Sequence, residues 1–542
     1  MDCSKLKQEI GWSWMLTKGF RWRIVLFVVL EVLAVAFSLG FVYWSKQAID
    51  IAMRVTSGSL YLTLTLLVCS IAMSVVAGLA ANWINEYIRV KMTIRLQNRL
   101  TGRQMMLAWQ QEKRWRTGDL LVRIHTDCPD VTQLLSYSIP SLLVIAVKLF
   151  ASLGFLWVMD PMLAVMLLFI SPLFLFSKLY YKKMRALSQS VKQAESRYGI
   201  VLQENLKSRL LIRSLRLSAI REETLLQAQD AILDLKTDQM KFSAFTQGVL
   251  RITFNGGYLL AFIWGIYQLN VGLISFGTMT AFLQLVGRVQ GPILSGITFI
   301  PAAIRTRASI ERLIELNEEE TEEELPPVAL EHITALELKD VSFRYVDTNV
   351  IDHFSAVFRR GEPTAVIGAS GKGKTTLNRL MLSLIRPDDG EINIYCATGR
   401  QPVSVATRSH FAYVPQGNSL FNGTIRENLL LVCPEADEEM LCRALNTACA
   451  EFVFTLPQGL ETEIGESAVG LSEGQAQRIA IARSLLCDSA IWLFDEISSA
   501  LDVETTKRLI KNLIEAGKDK IIIFVTHDHF LTEACPQIVK LR

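Results

Sequence analysis

Six apolar runs, at 24–44, 60–83, 139–159, 162–179, 245–267 and 274–297, constrain this chain more than any other feature. Each is close to the length that carries a helix across hydrocarbon, about 20 residues. Inside a bilayer the backbone must satisfy its own polar groups, so a run of this kind has helix as its natural form. One such run could be a buried helix of a soluble protein, but a series of six argues against that. Half of the residues are hydrophobic, and the mean hydropathy is +0.29. Residues 1–316 therefore read as an all-α, six-span membrane domain.

Charge sets the orientation. Lys5, Lys7, Lys18, Arg21 and Arg23 precede the first run, and Arg89, Lys91, Arg95, Arg99, Arg103, Lys113, Arg114 and Arg116 follow the second. Lys178, Lys182, Lys183 and Arg185 follow the fourth, whereas Met159-Asp160-Pro161 and residues 268–273 hold neither Lys nor Arg. By the positive-inside rule the N-terminus, both basic stretches and the C-terminal half face the cytoplasm, and no removable signal peptide is expected. A bacterial cytoplasmic membrane is the expected location, with membrane lipid as a partner. The stretches 86–115 and 181–241 keep a helical period, so the spans are expected to continue beyond the bilayer. Net charge is +3, which gives no case for nucleic acid. The nine cysteines form neither a disulfide framework nor a C-x-x-C site, and Cys433, Cys442 and Cys449 read as core or surface thiols.

Four ionisable residues fall within the runs. Arg251 and Arg288 lie near cytoplasmic ends, where snorkelling accounts for them. Glu31 and Lys148 sit deeper and read either as cavity-lining charges or as a structural ion pair.

Residues 317–334, an acidic run followed by Leu325-Pro326-Pro327, read as a solvated linker. From 335 to 542 short β-branched segments alternate with helical ones, the strands being expected at 336–345, 364–367, 391–395, 411–415, 490–494 and 520–526. That pattern predicts an α/β domain with a largely parallel sheet. Within it, Gly368-Ala369-Ser370-Gly371-Lys372-Gly373-Lys374-Thr375 fits the phosphate-cradling P-loop between a strand and a helix expected over 376–385. The glycines let backbone N–H groups turn inward on an anion, and a helix N-terminus adds its positive end. Lys374 would reach the β- and γ-phosphates and the Thr375 hydroxyl would hold Mg²⁺. Downstream, Ile491-Trp492-Leu493-Phe494-Asp495-Glu496 is an apolar strand ending in two acids. Asp495 can hold Mg²⁺ through its shell, and Glu496 can take a proton from the attacking water.

Leu471-Ser472-Glu473-Gly474-Gln475 opens a further helix with another anion-ready backbone. Together with Tyr413-Val414-Pro415-Gln416, residues 421–428, Ser499-Ala500-Leu501-Asp502 and Thr526-His527-Asp528, this order and spacing resembles the ATP-binding-cassette (ABC) transporters across the whole second half. The first half resembles the six-span membrane domain of exporter-type half-transporters. Thr117-Gly118-Asp119-Leu120-Leu121 with Arg123 and Asp127, the stretch from Gln203-Glu204-Asn205 to Arg213, and Ala308-Ser309-Ile310-Glu311-Arg312 carry that likeness.

The resemblance implies ATP-driven export by a dimer of half-transporters, a homodimer being favoured, with ATP and Mg²⁺ as cofactors and a lipid, peptide or drug-like cargo left open. It implies that Tyr345 stacks on adenine and that Gly368, Ser370, Gly371, Gly373 and Thr376 join Lys374 and Thr375 around the phosphates. Gln416 would contact Mg²⁺ and sense the γ-phosphate, and His527 would bond that phosphate and orient the water. Ser472, the Gly474 backbone and Gln475 would bind ATP held by the other subunit's P-loop, and Asp502 would communicate between the paired sites. An ATP-gated channel or membrane regulator that hydrolyses little is the alternative; a need for Glu496, Gln416 and His527 together argues against it. An importer subunit is disfavoured because membrane and cassette halves are fused. Two departures from the family pattern stand out. Glu473 replaces the first glycine of LSGGQ, and little chain follows His527, where a further strand and helix are usual. Ser467-Ala468 also interrupts the exporter loop before the signature.

Overall fold

The computed structural model of the protein describes residues 3–107, 109, 117–170, 177–323, 325–345, 348–369, 371–417, 419–465 and 470–541. They form two compact units, one within 3–318 and one within 319–541 that also takes in Met106, Leu107 and Trp109. Ser370, Lys113, Arg114, Arg116 and the Ser467-Ala468 departure lie outside the described residues.

The first unit is helical. Its principal helices are α1 (Cys3–Leu16), α2 (Arg21–Ala52), α3 (Leu60–Met105), α4 (Asp119–Met159), α5 (Pro161–Ile170), α6 (Ser177–Lys207), α7 (Ser218–Asn270) and α8 (Phe276–Glu318). Four of the described helices, α2, α3, α4 and α7, are long and apolar enough to cross a membrane. The expected run at 162–179 passes through residues outside the description, and the run at 274–297 falls on the first half of α8.

Beyond its apolar stretch, α3 continues as far as Met105 within the expected 86–115, and its sequence shows why it stays packed. Ile88, Met92, Leu96 and Leu100 recur every four residues, so they share one face. All four are buried, in a cluster with Trp12, Val131, Leu134 and Leu313. Each such burial stabilises the unit by about 1.5–3 kcal/mol. The stretch 181–241 is not one rod. The chain turns between α6 and α7, which run side by side and are tied by Lys236 Nζ to Glu195 at 2.8 Å. Arg221 then clamps Asn205 and Glu204 at 2.6 and 2.8 Å.

Two weak motifs meet. Arg312 places Nε and Nη2 on the buried Asp127 carboxylate at 2.8 and 2.6 Å, and the Ser309 hydroxyl adds a bond of 2.9 Å. In return Arg123 reaches the Arg312 carbonyl at 2.8 Å and Glu315 at 3.2 Å. A buried carboxylate needs such partners, because an unpaired charge away from water is costly.

The second unit holds two main sheets. Strands β1 (Ala335–Tyr345), β2 (Thr348–Arg359), β4 (Asp389–Cys396) and β5 (Gly399–Pro402) form an antiparallel sheet in the order β2-β1-β4-β5. Strands β3 (Thr364–Ile367), β6 (Phe411–Val414), β9 (Ile491–Asp495), β10 (Ile521–Thr526) and β11 (Gln537–Lys540) form a parallel sheet, β11-β3-β10-β9-β6. A short pair, β7 (Gly423–Thr424) and β8 (Glu463–Ile464), stands apart. Two of the six expected strands, at 336–345 and 391–395, belong to the antiparallel sheet and not to the parallel one. Strand β2 is not among the expected strands; its register against β1 shifts at three places and so breaks the two-residue alternation. Helix α9 (Lys374–Met381) begins at the P-loop, and α10 (Glu473–Leu485) and α11 (Val503–Ala516) follow later. After His527 the chain still forms the helix His529–Ala534 and the edge strand β11.

The linker is not simply solvated. Glu319 is buried, and Glu322 receives the Arg408 guanidinium with both oxygens at 2.9 and 3.0 Å.

Candidate nucleotide site

In a parallel sheet the carboxyl ends of the strands share one edge, and the chain leaving each end can reach its neighbours. Here four strands deliver polar groups to that edge. The P-loop leaves β3, Gln416 follows β6 by two residues, Asp495 ends β9 with Glu496 next, and His527 follows β10.

They converge on Glu496. Lys374 Nζ lies 2.9 Å from its Oε1, and Gln416 Nε2 donates to Oε2 at 2.7 Å. His527 Nδ1 stands 3.5 Å from Oε1. Burial pushes the Glu496 carboxyl up, but the Lys374 ammonium and the His527 ring outweigh it and hold the group below the ordinary glutamate range. Glu496 also sits at φ +48°, in the left-handed region that a non-glycine residue rarely occupies. Its N–H donates to the Val525 carbonyl at 2.8 Å, and the buried Gln477 amide donates to its carbonyl at 3.2 Å. Those two bonds hold an unfavourable backbone in place. Sequence reasoning missed Gln477, although it lies on α10 two residues beyond Gln475.

Asp495 is buried beside Asn378 and Tyr413, and burial raises its carboxyl above the usual aspartate range. Burial and the Asp495 charge push the Tyr413 phenol up in turn.

The P-loop can take a phosphate chain. Gly371 and Gly373 adopt φ +82° and +89°, and a Cβ on Gly373 would come within 2.8 Å of Val350. Gly373 caps α9 without any side-chain bond, so the first-turn N–H groups of Lys374, Thr375 and Thr376 face outward with no intrahelical partner. Gly368 is packed under Leu541. Lys374 and Thr376 are buried and Thr375 is exposed at the rim. The oxygens of Thr375, Gln416 and Asp495 are the hard donors that Mg²⁺ prefers. Among the described residues no group of three or more His, Cys, Asp or Glu gathers around a point, so an ion here would draw part of its shell from phosphate oxygens.

Tyr345 packs edge-on against Phe343, with Arg379 Nη1 donating to its hydroxyl at 3.1 Å. The Arg379 guanidinium in turn lies 4.7 Å over the Trp109 ring. Neither Arg379 nor Trp109 was singled out from the sequence, since nothing local marks a residue whose partner lies in a distant part of the chain.

The signature helix α10 is capped by its own residues. Ser472 Oγ accepts from the Gln475 N–H at 3.2 Å, while Gln475 Oε1 accepts from the Ser472 N–H at 2.9 Å, a capping box. Gly474 is required for packing: a Cβ there would sit 2.4 Å from the Ala500 carbonyl oxygen. Glu473 is exposed in the first turn, where the positive helix end favours an acid. Asp502 caps α11 through the Thr505 N–H at 2.9 Å. Glu31 and Lys148 lie in the other unit and pair at 3.0 Å.

The comparisons agree with this architecture. The profile of the ABC transporter transmembrane region matches residues 24–293, and that of the ABC transporter matches residues 351–499. An uncharacterized ABC transporter ATP-binding protein of Bacillus subtilis is 31% identical over 343 residues, covering 62% of this chain and 60% of that protein. A probable ABC transporter ATP-binding/permease protein of Haemophilus influenzae is 29% identical over 57% of this chain, and that match spans 56% of its own length. An ATP-dependent lipid A-core flippase of Desulfotalea psychrophila is 29% identical over 76% of this chain and 73% of the flippase. The solved structure of a bacterial Atm1-family ABC exporter with ATP bound superposes with a TM-score of 0.78 at 21% identity, covering 97% of this chain and 94% of that one, which is a likeness of fold. With a helical transmembrane region and a sheet-containing ATPase cassette fused in one polypeptide, the chain belongs to the ABC transporters.

Proposed function

We propose that the protein is an integral membrane half-transporter that hydrolyses ATP to export a substrate, two copies forming one working unit. In this reading residues 1–316 are the transmembrane domain, 317–334 the linker and 335–542 the cassette, with the N-terminus and cassette cytoplasmic. One observation carries it: four strand ends bring Lys374, Gln416 and His527 onto the single carboxylate of Glu496, beside a P-loop. Relatives named as lipid A-core flippase and multidrug efflux protein support export.

The residues divide the work as follows. Tyr345 stacks on the adenine, and the N–H groups of Gly371, Gly373, Lys374, Thr375 and Thr376, with Gly368 and Ser370 as further ATP-binding residues, hold the phosphates. Lys374 exchanges Glu496 for the β- and γ-phosphates, which frees that carboxylate. Glu496 then accepts the proton of the attacking water, His527 orients that water, and Gln416 reads the γ-phosphate. Thr375, Gln416 and Asp495 would hold Mg²⁺, which supplies positive charge against the phosphate oxygens. Ser472, Gly474 and Gln475 present the start of α10 to ATP on the partner copy, and Asp502 links the paired sites; a site completed across two copies requires a dimer.

The test is reconstitution in lipid nanodiscs. Wild-type protein should release phosphate from ATP and run as two copies in native mass spectrometry. Lys374→Ala protein should insert and pair but lose turnover, because phosphate charge stabilisation is removed without touching a span. Undiminished turnover in that variant overturns the assignment.

A further inference from the structure

Glu31, Lys148 and Arg288 were singled out as charges within apolar runs, and the structure brings all three to one place. They come from α2, α4 and α8 and line a cavity of about 290 Å³ whose wall also carries the hydroxyls of Ser38, Ser74 and Ser152. A second cavity of about 240 Å³ shares Glu31 and Lys148 and continues along Phe27, Val144 and Ile145. Both walls combine charges and hydroxyls with apolar side chains, so each offers places for a polar head and for an apolar chain.

The charges do not cancel. Lys148 Nζ holds Glu31 Oε2 at 3.0 Å, while Arg288 has no hydrogen bond or ion pair among the described residues. Two cations face one anion, which leaves a net positive charge inside a helical unit built of membrane-length apolar runs. An isolated charge there is costly, and such residues mark a ligand path by default. A guanidinium is also a planar fork that suits the paired oxygens of phosphate or carboxylate.

We propose that this cavity binds an amphiphile with one anionic head group, phosphate or carboxylate, and an apolar chain. Arg288 takes the head group through its fork, and Lys148 supplies a second donor. Glu31 holds Lys148 in position and competes with the ligand for it. The chain of the amphiphile lies along Val35 and Leu39 and on toward Phe27 and Val144. This rests on the export reading and names the chemical class of the cargo.

The experiment measures binding without ATP, so that it does not depend on turnover. Radiolabelled dodecyl phosphate is titrated into wild-type and Lys374→Ala protein in phosphatidylcholine nanodiscs, with empty discs subtracted. Saturable binding should appear in both, displaced by dodecanoate but not by dodecyltrimethylammonium. Arg288→Gln should weaken binding about tenfold and Arg288→Lys less, since it keeps the charge and loses the fork. Glu31→Gln should tighten binding several-fold, a gain that misfolding cannot produce. Equal displacement by the cationic amphiphile, no saturable binding, or unchanged affinity in Arg288→Gln and Glu31→Gln overturns the proposal. Displacement by inorganic phosphate as effective as by dodecyl phosphate would mean a chain-free anion is the ligand, and overturns it as well. Turnover without binding defeats this inference alone, whereas binding without wild-type turnover defeats the export reading alone.

Discussion

Each unit of the molecule holds a lysine against a glutamate at almost the same distance, and the surroundings of the two pairs differ. Lys374 and Glu496 meet at 2.9 Å with side chains 9% and 15% exposed. Lys148 and Glu31 meet at 3.0 Å with side chains 43% and 18% exposed. Around Glu496 the protein adds Gln416, His527, and two backbone bonds that fix a left-handed residue. Among the described residues the one polar partner of Glu31 is Lys148, and the further charge on the wall, Arg288, is a cation. Distance alone does not say what an ion pair does. The first carboxylate is held for chemistry by many elements, whereas the second is a loose counter-charge in a cavity.

The largest effect that separates them should come from Glu496→Gln, which keeps shape and removes the base. Phosphate release should fall by about 10²–10⁴-fold while ATP stays bound, as retained nucleotide after rapid gel filtration would show. Glu31→Gln should leave hydrolysis without added amphiphile within a few-fold of wild type in the same assay. Next comes Gln477→Leu, which removes the donor on the Glu496 carbonyl. A misplaced base should cost about tenfold in kcat with little change in KM for ATP, and steady-state kinetics would separate the two. An equal loss through KM alone would place Gln477 in binding instead.

A smaller effect lies in stability. Double-mutant unfolding cycles should give about 1.5–3 kcal/mol of coupling for Lys374 with Glu496, the range for bonds to charged groups. The Glu496 carboxyl is depressed in the folded protein, so this contribution is complete above the ordinary glutamate range and is lost as pH falls through the lowered folded value. The gap in melting temperature between wild type and Glu496→Gln should therefore close in acid. The smallest effect is expected for Lys148 with Glu31. Its half-exposed lysine is screened, and the same cycle should return about 0–1 kcal/mol.

What could be read beforehand divides along physical lines. The P-loop, the acids ending β9 and the Ser472–Gln475 helix start were legible because each is a local pattern in which neighbours dictate the backbone. The fold class, helical spans followed by an α/β cassette, was legible for the same reason, through apolar length and strand alternation. Long-range facts were not. Nothing near Gln477 announces that its amide reaches the Glu496 carbonyl, and nothing near Gly474 announces the Ala500 oxygen that forbids a side chain. Likewise Arg288, read alone as a snorkelling side chain, gained its meaning only from the two helices beside it. The acidic run read as solvated hid Glu322, whose partner Arg408 lies far along the chain.

The last strand, β11, has a consequence for handling the protein. It pairs in parallel with β3, where the Thr364 hydroxyl donates to Gln537 at 2.9 Å and the Leu541 N–H reaches the Ile367 carbonyl at 2.8 Å. Without those residues β3 would become an open sheet edge, a row of unpaired N–H and C=O groups able to recruit another chain. An insertion that displaces β11, or a proteolytic nick just before Gln537, would uncover that edge directly beneath the P-loop. Preparations would then lose solubility and nucleotide binding together, although every ligand residue was still present.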